Sequence, residues 1–511
     1  MQDCADEAAY DLRHCKWQMQ DCADEAAREK GSMVKGGIFR KKPVFLLVDF
    51  HYGVAQANRA MLRQLGCKTH MICGSGHYLQ LEWRAHRRRR HVVRWHHILK
   101  ARVSAHAAHW VDRLFLLFYP AFADYLAGAF LQGSYKIEGV NPQTVWHDKY
   151  MRQHFLRHPL IRKWVAASDY VLCTFPPKIA HIAVWLAQHE GKRVFFLGGH
   201  RFNIHLRSQE DNAEWKACLR RLASDAAHIV AVYGAYEERY TQYFLPDISV
   251  QRFPLAMSHI PLIPLKKRAA WRPLRRRPSV PSARPPAERA VWLYDNYAYG
   301  GPHPLFEPLK EAAHNAADLR AANIRFYARA ELLAHKTLHG DTDKFLAMLA
   351  QCHAIVVFPY SAYSILFCEL YEMNIPMFIP SDAFLLRLSE AGRQVVPDRT
   401  LFPMYCTKEI YREMEPHDNP QTSPNSYELS ALRRWLPLME QFQRRNMQRF
   451  ESIEDLFRQL VSLDRAAVAD AMRKENLQRR HDARQIWRQT IARSWQHPAP
   501  PRARPSQELS P

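Results

Sequence analysis

Short apolar runs, each ending in a turn and leading into a helical stretch, recur in two series along this 511-residue chain. Val44 to Val48 (VFLLV) ends at Asp49. His51-Tyr52-Gly53 then makes a turn, and Val54 to Leu65 carries a helical pattern. Thr69 to Cys73 (THMIC) is the next strand-like run. A strand, a helix and a second strand in this order form a crossover unit, so the pattern predicts parallel strands covered by helices. The first series continues with strands over Asp169 to Thr174, Arg193 to Leu197 and His228 to Tyr233, separated by helices over Ile179 to His189 and Ala213 to Ser224.

Residues 261–288 change character: proline and arginine dominate and periodicity vanishes, which marks a linker or surface insertion. Alternation then resumes. Strands are expected over Ala290 to Tyr294, Asn323 to Ala328, Ala354 to Phe358 and Met377 to Ile379. Helices are expected over Leu305 to Ala316, Asp343 to Ala350, Tyr363 to Met373 and Ser381 to Glu390. The tail from Tyr427 to Trp495 reads as mainly helical, and Ser452-Ile453-Glu454-Asp455 has the form of a capping box. The expected organisation is a disordered polar tail (1–42), an N-terminal α/β domain (43–258), a linker (259–289), a C-terminal α/β domain (290–424), a helical extension closing the fold (425–497) and a disordered end (498–511).

Composition narrows the function classes. The net charge is +22, from 72 Lys+Arg against 50 Asp+Glu, and such a surface attracts polyanions. The basic runs, Arg87 to Arg90, Lys266 to Arg268 and Arg275 to Arg277, come with no aromatic stacking motif or nucleic-acid module. They read as solvated loops, and no specific nucleic acid is expected. Ten cysteines are scattered without a CxxC pair, which excludes a zinc module and a disulfide scaffold and leaves buried free thiols. Residues 1–42 hold no apolar core of a signal peptide, but they repeat MQDCADEAA at Met1 to Ala9 and Met19 to Ala27. The most apolar stretch, Leu114 to Leu131, is interrupted by Pro120, Asp124 and Gly128, so it predicts burial or membrane-surface contact rather than a span. A cytoplasmic or peripheral membrane location is expected. A Golgi or ER anchor remains the alternative if the duplicated N-terminus is not the native one.

The most specific signal is residues 358–381, FPYSAYSILFCELYEMNIPMFIPS. A strand ends in Pro359, and a Ser/Tyr loop leads into an apolar helix carrying Glu369 and, one turn on, Glu372. The helix closes at Asn374-Ile375-Pro376 before a buried strand. This stretch resembles the donor-site segment of GT-B glycosyltransferases, in which a glutamate stands seven positions before a proline that opens the next strand. Glu369 and Pro376 have that spacing. Ser361 stands where retaining members often carry an acid, and Asn374-Ile375 stand where a glycine is usual. The resemblance extends more weakly over residues 43–495, and it leaves retaining or inverting chemistry open.

The resemblance implies two Rossmann-like domains facing across a cleft, and transfer of a sugar from a nucleotide-sugar donor, as a substrate rather than a cofactor, to a glycan, lipid or protein acceptor. It assigns Glu369 to the donor ribose; a carboxylate can accept from both hydroxyls of a cis-diol. The helix start near Ser361 and Ser364 would meet the diphosphate. Arg325 and Arg329, flanking a strand, are candidates for the leaving diphosphate. In the N-terminal domain, Asp49 and His51 follow one strand end, and Gly199, His200 and Arg201 follow another. Asp49, His51 and His200 are candidate bases for the acceptor hydroxyl. Arg201 and Gly199 are candidates for phosphate or acceptor contact. Asp341-Thr342-Asp343 resembles a metal–nucleotide triplet but lacks the preceding apolar strand, so Asp341 or Asp343 reads as a helix cap and no metal is expected. The competing readings are a nucleotide-sugar epimerase of the same architecture and a catalytically inactive basic protein that binds RNA or anionic membrane.

Overall fold

The structure, a computed structural model, describes residues 42–73, 159–257, 288–294, 305–328, 349–359, 364–391 and 421–502, apart from breaks of one or two residues. The N-terminal segment 1–41, its duplication, Leu114–Leu131, the three basic runs and the Asp341–Asp343 triplet lie outside the described residues.

Two parallel sheets organise the chain. The first has the order β2-β1-β3-β4-β5-β6. Its strands are β1 (Val44–Asp49), β2 (Lys68–Cys73), β3 (Tyr170–Cys173), β4 (Arg193–Gly198), β5 (Ile229–Val232) and β6 (Gln251–Arg252). The second has the order β11-β10-β9-β7-β8. It comprises β7 (Arg289–Tyr294), β8 (Ile324–Tyr327), β9 (Ala354–Val357), β10 (Met377–Pro380) and β11 (Gln448–Phe450). Every recorded strand pair is parallel. The expected two Rossmann-like parallel-sheet domains with a helical C-terminal tail are observed.

The apolar runs explain the sheets. Residues of β3, β4, β5, β9 and β10 are buried at every position, as strands covered by helices on both faces must be. In the first domain the helices are α1 (Tyr52–Gln64), α2 (Pro159–Ala167), α3 (Pro177–His189), α4 (Gln209–Ser224) and α5 (Ala235–Phe244). The second has α6 (Phe306–Asn315), α7 (Ala317–Ala321), α8 (Ile365–Glu372) and α9 (Asp382–Glu390). The C-terminal part adds α10 (Leu429–Trp435), α11 (Glu440–Gln443), α12 (Ile453–Val461) and α13 (Arg465–Gln496). Ser452 caps α12 through the Asp455 amide at 3.1 Å, and the Asp455 carboxylate accepts from the Glu451 amide at 2.9 Å. The five described cysteines are buried and free. Burial pushes the Cys67, Cys352 and Cys368 thiols up to about 12, so they behave as small apolar side chains.

Helix α13 joins the two sheets. Its 32 residues span about 48 Å at 1.5 Å per residue. Its first half touches α8: Glu475 accepts from the Tyr371 hydroxyl at 2.7 Å, and the Asn476 amide donates to the Tyr371 carbonyl at 2.9 Å. Its second half reaches the first domain. Trp487 packs on Phe195 and Phe253, Thr490 bonds Gln251, and Ser494 donates to the Ala227 carbonyl. The segment before it also returns to the first domain, where the Trp435 ring packs on Tyr236 and Tyr243 of α5.

Two buried histidines make the fold acid-sensitive. His228 Nδ1 accepts from the Val194 amide at 3.0 Å, which requires that nitrogen to be unprotonated. Burial lowers the His228 pKa, Asp225 opposes the shift and Arg193 adds to it. Burial likewise lowers His353. Above the ordinary value of 6.5 both rings are neutral in the folded and unfolded states, so neither affects stability. As pH falls through 6.5 the unfolded chain takes up protons that the native state resists, and stability declines until the native values are reached. The urea midpoint is therefore expected to fall between pH 7.5 and pH 5.5, and His228→Gln to flatten that decline. An equal decline in the variant would remove His228 from the account.

Candidate functional site

Ligands of open parallel sheets gather where the strand order reverses, at the carboxyl ends of the strands. The first sheet reverses between β1 and β3, and the second between β7 and β9. Both places hold residues singled out by sequence.

At the first, Asp49 ends β1 and is buried. Thr174, just past β3, donates to its Oδ2 at 2.5 Å. Tyr233, just past β5, exchanges hydrogen bonds with Asn58 of α1 at 2.7 and 3.0 Å. Burial and then the Asp49 charge hold the Tyr233 hydroxyl well above its ordinary pKa, and burial, Cys218 and Asp49 do the same to the Cys173 thiol. Thr174, Tyr233 and Asn58 were not picked out from sequence; the available signal was that Thr174 and Tyr233 each close a predicted strand. Gly53 lies in the first turn of α1, while His51 lies outside the described residues.

Gly199 follows β4 and is buried, His200 lies outside the described residues, and Arg201 is buried. Arg201 Nε and Nη2 donate to the Tyr236 hydroxyl at 3.1 and 2.8 Å, and Nη2 donates to the Pro424 carbonyl at 3.2 Å. Its guanidinium lies 5.2 Å from the Tyr240 ring centre. These contacts pin the returning C-terminal segment to the first domain.

At the second reversal, Tyr294 ends β7, and its hydroxyl meets the Ser364 hydroxyl at 2.7 Å. Ser364 is the N-cap of α8 and accepts from the Phe367 amide at 3.3 Å. The Ser364 hydroxyl is therefore engaged in holding the helix start, and the helix geometry turns the Ile365 and Leu366 amides outward at the same end. Ser361 lies outside the described residues.

At 3.6 residues per turn, Ile365, Leu366 and Glu369 share one stripe of α8, and these three are its only partly exposed residues. Glu369 stands at the centre of the stripe. The other five residues, Phe367, Cys368, Leu370, Tyr371 and Glu372, are buried. Helix α1 of the first domain packs against α8, so the element that follows Asp49 adjoins the element that carries Glu369.

The two glutamates separate sharply. Glu372 lies in the seam between the domains. Its Oε2 takes Arg480 Nη2 at 2.6 Å and Nε at 2.8 Å, and its Oε1 accepts from the Met257 amide at 3.3 Å. Helical register alone would leave Glu372 only about 20° from Ile365, seven residues earlier, so its burial comes from what covers the last turn of α8: Arg480 of α13 and the Met257 amide.

Asn374 turns the chain out of the end of α8. It adopts φ +58°, a left-handed conformation that asparagine tolerates, and its Oδ1 accepts from Asn476 at 2.9 Å. Asn374→Ala should cost about 1–2 kcal/mol, because alanine is strained there. Asn374→Gly should lose little beyond the Asn476 bond. Chemical denaturation of the pair checks this; equal losses would show that the bond, not the backbone, matters.

Arg325 does not join this group. It pairs with Ala290 at the entry end of β7, roughly 13 Å from Tyr294 at 3.3 Å per residue, and its exposed guanidinium lies 3.6 Å from Glu288. Arg329 lies outside the described residues.

Among the described residues no group of three or more His, Cys, Asp or Glu could hold a metal ion, and no helix is long and apolar enough to cross a membrane.

No family model and no curated protein matches the chain. The solved structures similar to it at low level include the following three. A calicheamicin glycosyltransferase shares 11% identity, with 89% of this chain and 99% of that one covered, at a TM-score of 0.34. The S. aureus MnaA–UDP complex shares 8%, with 78% and 95% covered, at 0.32. A putative UDP-N-acetylglucosamine 2-epimerase from Listeria monocytogenes shares 9%, with 81% and 100% covered, at 0.32.

Proposed function

We propose that the protein is a GT-B-type glycosyltransferase that binds a nucleotide-sugar donor on its C-terminal domain and passes the sugar to an acceptor hydroxyl presented by the N-terminal domain. The observation that carries this reading is α8, which begins at the strand-order reversal of the second sheet and presents Glu369 at the centre of its one exposed stripe, beside α1. In this reading the Glu369 carboxylate accepts from the donor ribose hydroxyls. The α8 amides at Ile365 and Leu366, supported by Ser364 and the Ser361 loop, meet the diphosphate, where the positive end of a helix favours an anion. As the bond from the sugar carbon to the diphosphate breaks, the acceptor hydroxyl needs a proton acceptor. His51 takes that role, with Asp49 as the buried carboxylate two residues before it and His200 as the other candidate. In this reading Gly199 and Arg201 are candidates for acceptor contact and Arg329 for the leaving diphosphate. The reading is metal-independent, with the diphosphate charge met by the helix start.

The first test is thermal shift against UDP, GDP, ADP and CMP and their sugar conjugates. At least one nucleoside diphosphate is expected to raise Tm, by about 2.7 kcal/mol of ligand-linked stability at one hundred times Kd. No shift with any of them sinks the proposal. Given a binder, release of free nucleotide only with an acceptor present supports transfer. Interconversion of the sugar without acceptor would replace it with the epimerase reading.

A further inference from the structure

Helix α8 is gripped along its buried face by one element. Within α13, Glu475, Asn476 and Arg480 contact Tyr371, Asn374 and Glu372 in turn. Only one of these contacts also involves the N-terminal domain. The Glu372 carboxylate divides its two oxygens: Oε2 receives the Arg480 fork, and Oε1 receives the backbone amide of Met257. Met257 is itself fully buried and is the last described residue before the proline- and arginine-rich segment 259–287. A single carboxylate thus joins three pieces: the helix bearing the exposed Glu369 stripe, the helix that spans both domains, and the point where the chain leaves the first domain.

We infer that Glu372 is a positioning residue, the joint that fixes how α8, and with it Glu369, faces the N-terminal domain. This inference rests on the proposed donor site and adds a device to it. Helix α8 has eight residues, so Glu369 and Glu372 move as one rigid unit. A rotation of α8 that tilts Glu369 also carries Glu372 away from Arg480 and Met257. The Arg480 fork resists that rotation because its guanidinium is largely buried and would lose its counter-charge. The Met257 amide resists it because a buried donor without an acceptor is costly. Neither partner belongs to the donor domain's own sheet, so the orientation of the site is set from outside it.

The experiment separates positioning from mere stability. Glu372→Met with Arg480→Met replaces the ion pair by apolar side chains, an exchange that is often neutral for stability. Glu372→Gln with Arg480→Gln keeps an acceptor for Met257 and a side-chain bond across the joint. Both double variants and the wild type are compared by thermal melting, titration with UDP, GDP and ADP, and small-angle X-ray scattering of the whole chain. The methionine pair is expected to fold but to melt a little below the wild type, because the buried Met257 amide loses its acceptor, to bind its nucleotide about tenfold more weakly and to show an altered scattering profile. The glutamine pair is expected to stay within about twofold in affinity. Wild-type affinity and scattering in a folded methionine pair would overturn the joint while leaving the proposed function standing. If the wild type binds none of the three nucleotides, the proposed function fails, and the scattering comparison alone still decides the joint: an unchanged profile overturns it, a changed one supports it.

Discussion

Replacing Glu440 by Ala is expected to destabilise the protein by about 3–5 kcal/mol, the range for removing one partner of a buried ion pair. Glu440 is buried at the first position of α11, and its Oε1 receives Arg444 Nη2 at 2.7 Å and Arg479 Nη2 at 3.0 Å. Arg444 has no solvent-exposed side-chain surface, and it lies 4.8 Å from the Tyr371 ring centre beneath α8. Burial alone would raise the Glu440 pKa, but Arg444 and Arg479 outweigh it and hold the carboxyl below its ordinary value. Burial lowers the Arg479 pKa, and the Arg444 charge lowers it further, so the two cations oppose each other and need the carboxylate between them. Glu440 also lies close to the first domain: its Oε2 is 3.6 Å from where a Cβ on Gly234 would stand. Glu440→Ala leaves the buried Arg444 and the partly exposed Arg479 without that anion. The midpoint of thermal unfolding should drop by about 3–5 °C for a chain of this length. Adding Arg444→Met to the alanine variant should restore a large part of the loss, because it removes the stranded charge. A double variant no more stable than the single one would refute that electrostatic cause.

Much of the sheet architecture was legible because its strands are buried on both faces, which forces continuous apolar runs such as VFLLV and AIVV. The two strands that escaped, Gln251–Arg252 and Gln448–Phe450, are short and polar. They exist because β5 and β10 offer free edges, and nothing in their own residues announces them. Helicity of the tail was equally plain, and it was expected to close the fold, but not which residues of α13 would meet each domain, since those contacts are chosen by partners hundreds of residues away. Glu369 was visible from its offset to Pro376. The burial of Glu372 was not, because its partner Arg480 lies 108 residues further on and two glutamates on one apolar helix look alike in sequence. Arg325 looked useful for flanking a strand, yet strand direction put it at the wrong end of the sheet. Asn374 looked like a departure from the glycine usual in GT-B enzymes, and it takes a left-handed conformation that asparagine tolerates.

Glu369→Gln is expected to weaken nucleotide binding about tenfold or more, since hydrogen bonds to a charged partner are worth about 1.5–3 kcal/mol and 1.4 kcal/mol is one decade. The substitution keeps size and removes charge. It falls on a half-exposed position of α8 flanked by Ile365 and Leu366, so the buried face formed by Phe367, Leu370 and Tyr371 stays intact and the melting temperature should change little. Glu372→Gln is no neutral comparison, because it strips the counter-charge from Arg480. Glu307→Gln serves better: Glu307 is an exposed residue in the first turn of α6, paired with Lys310 at the surface. Surface pairs of this kind contribute about 0–1 kcal/mol, so neither stability nor binding should move much. Isothermal titration with the strongest binder of the nucleotide panel reads the result. The nucleoside diphosphate and its 2′,3′-dideoxy analogue make the test specific to the ribose. If Glu369 accepts from both hydroxyls, the wild type should discriminate strongly between the two ligands and the glutamine variant only weakly. Equal discrimination in both proteins would place the ribose elsewhere and detach Glu369 from the donor site.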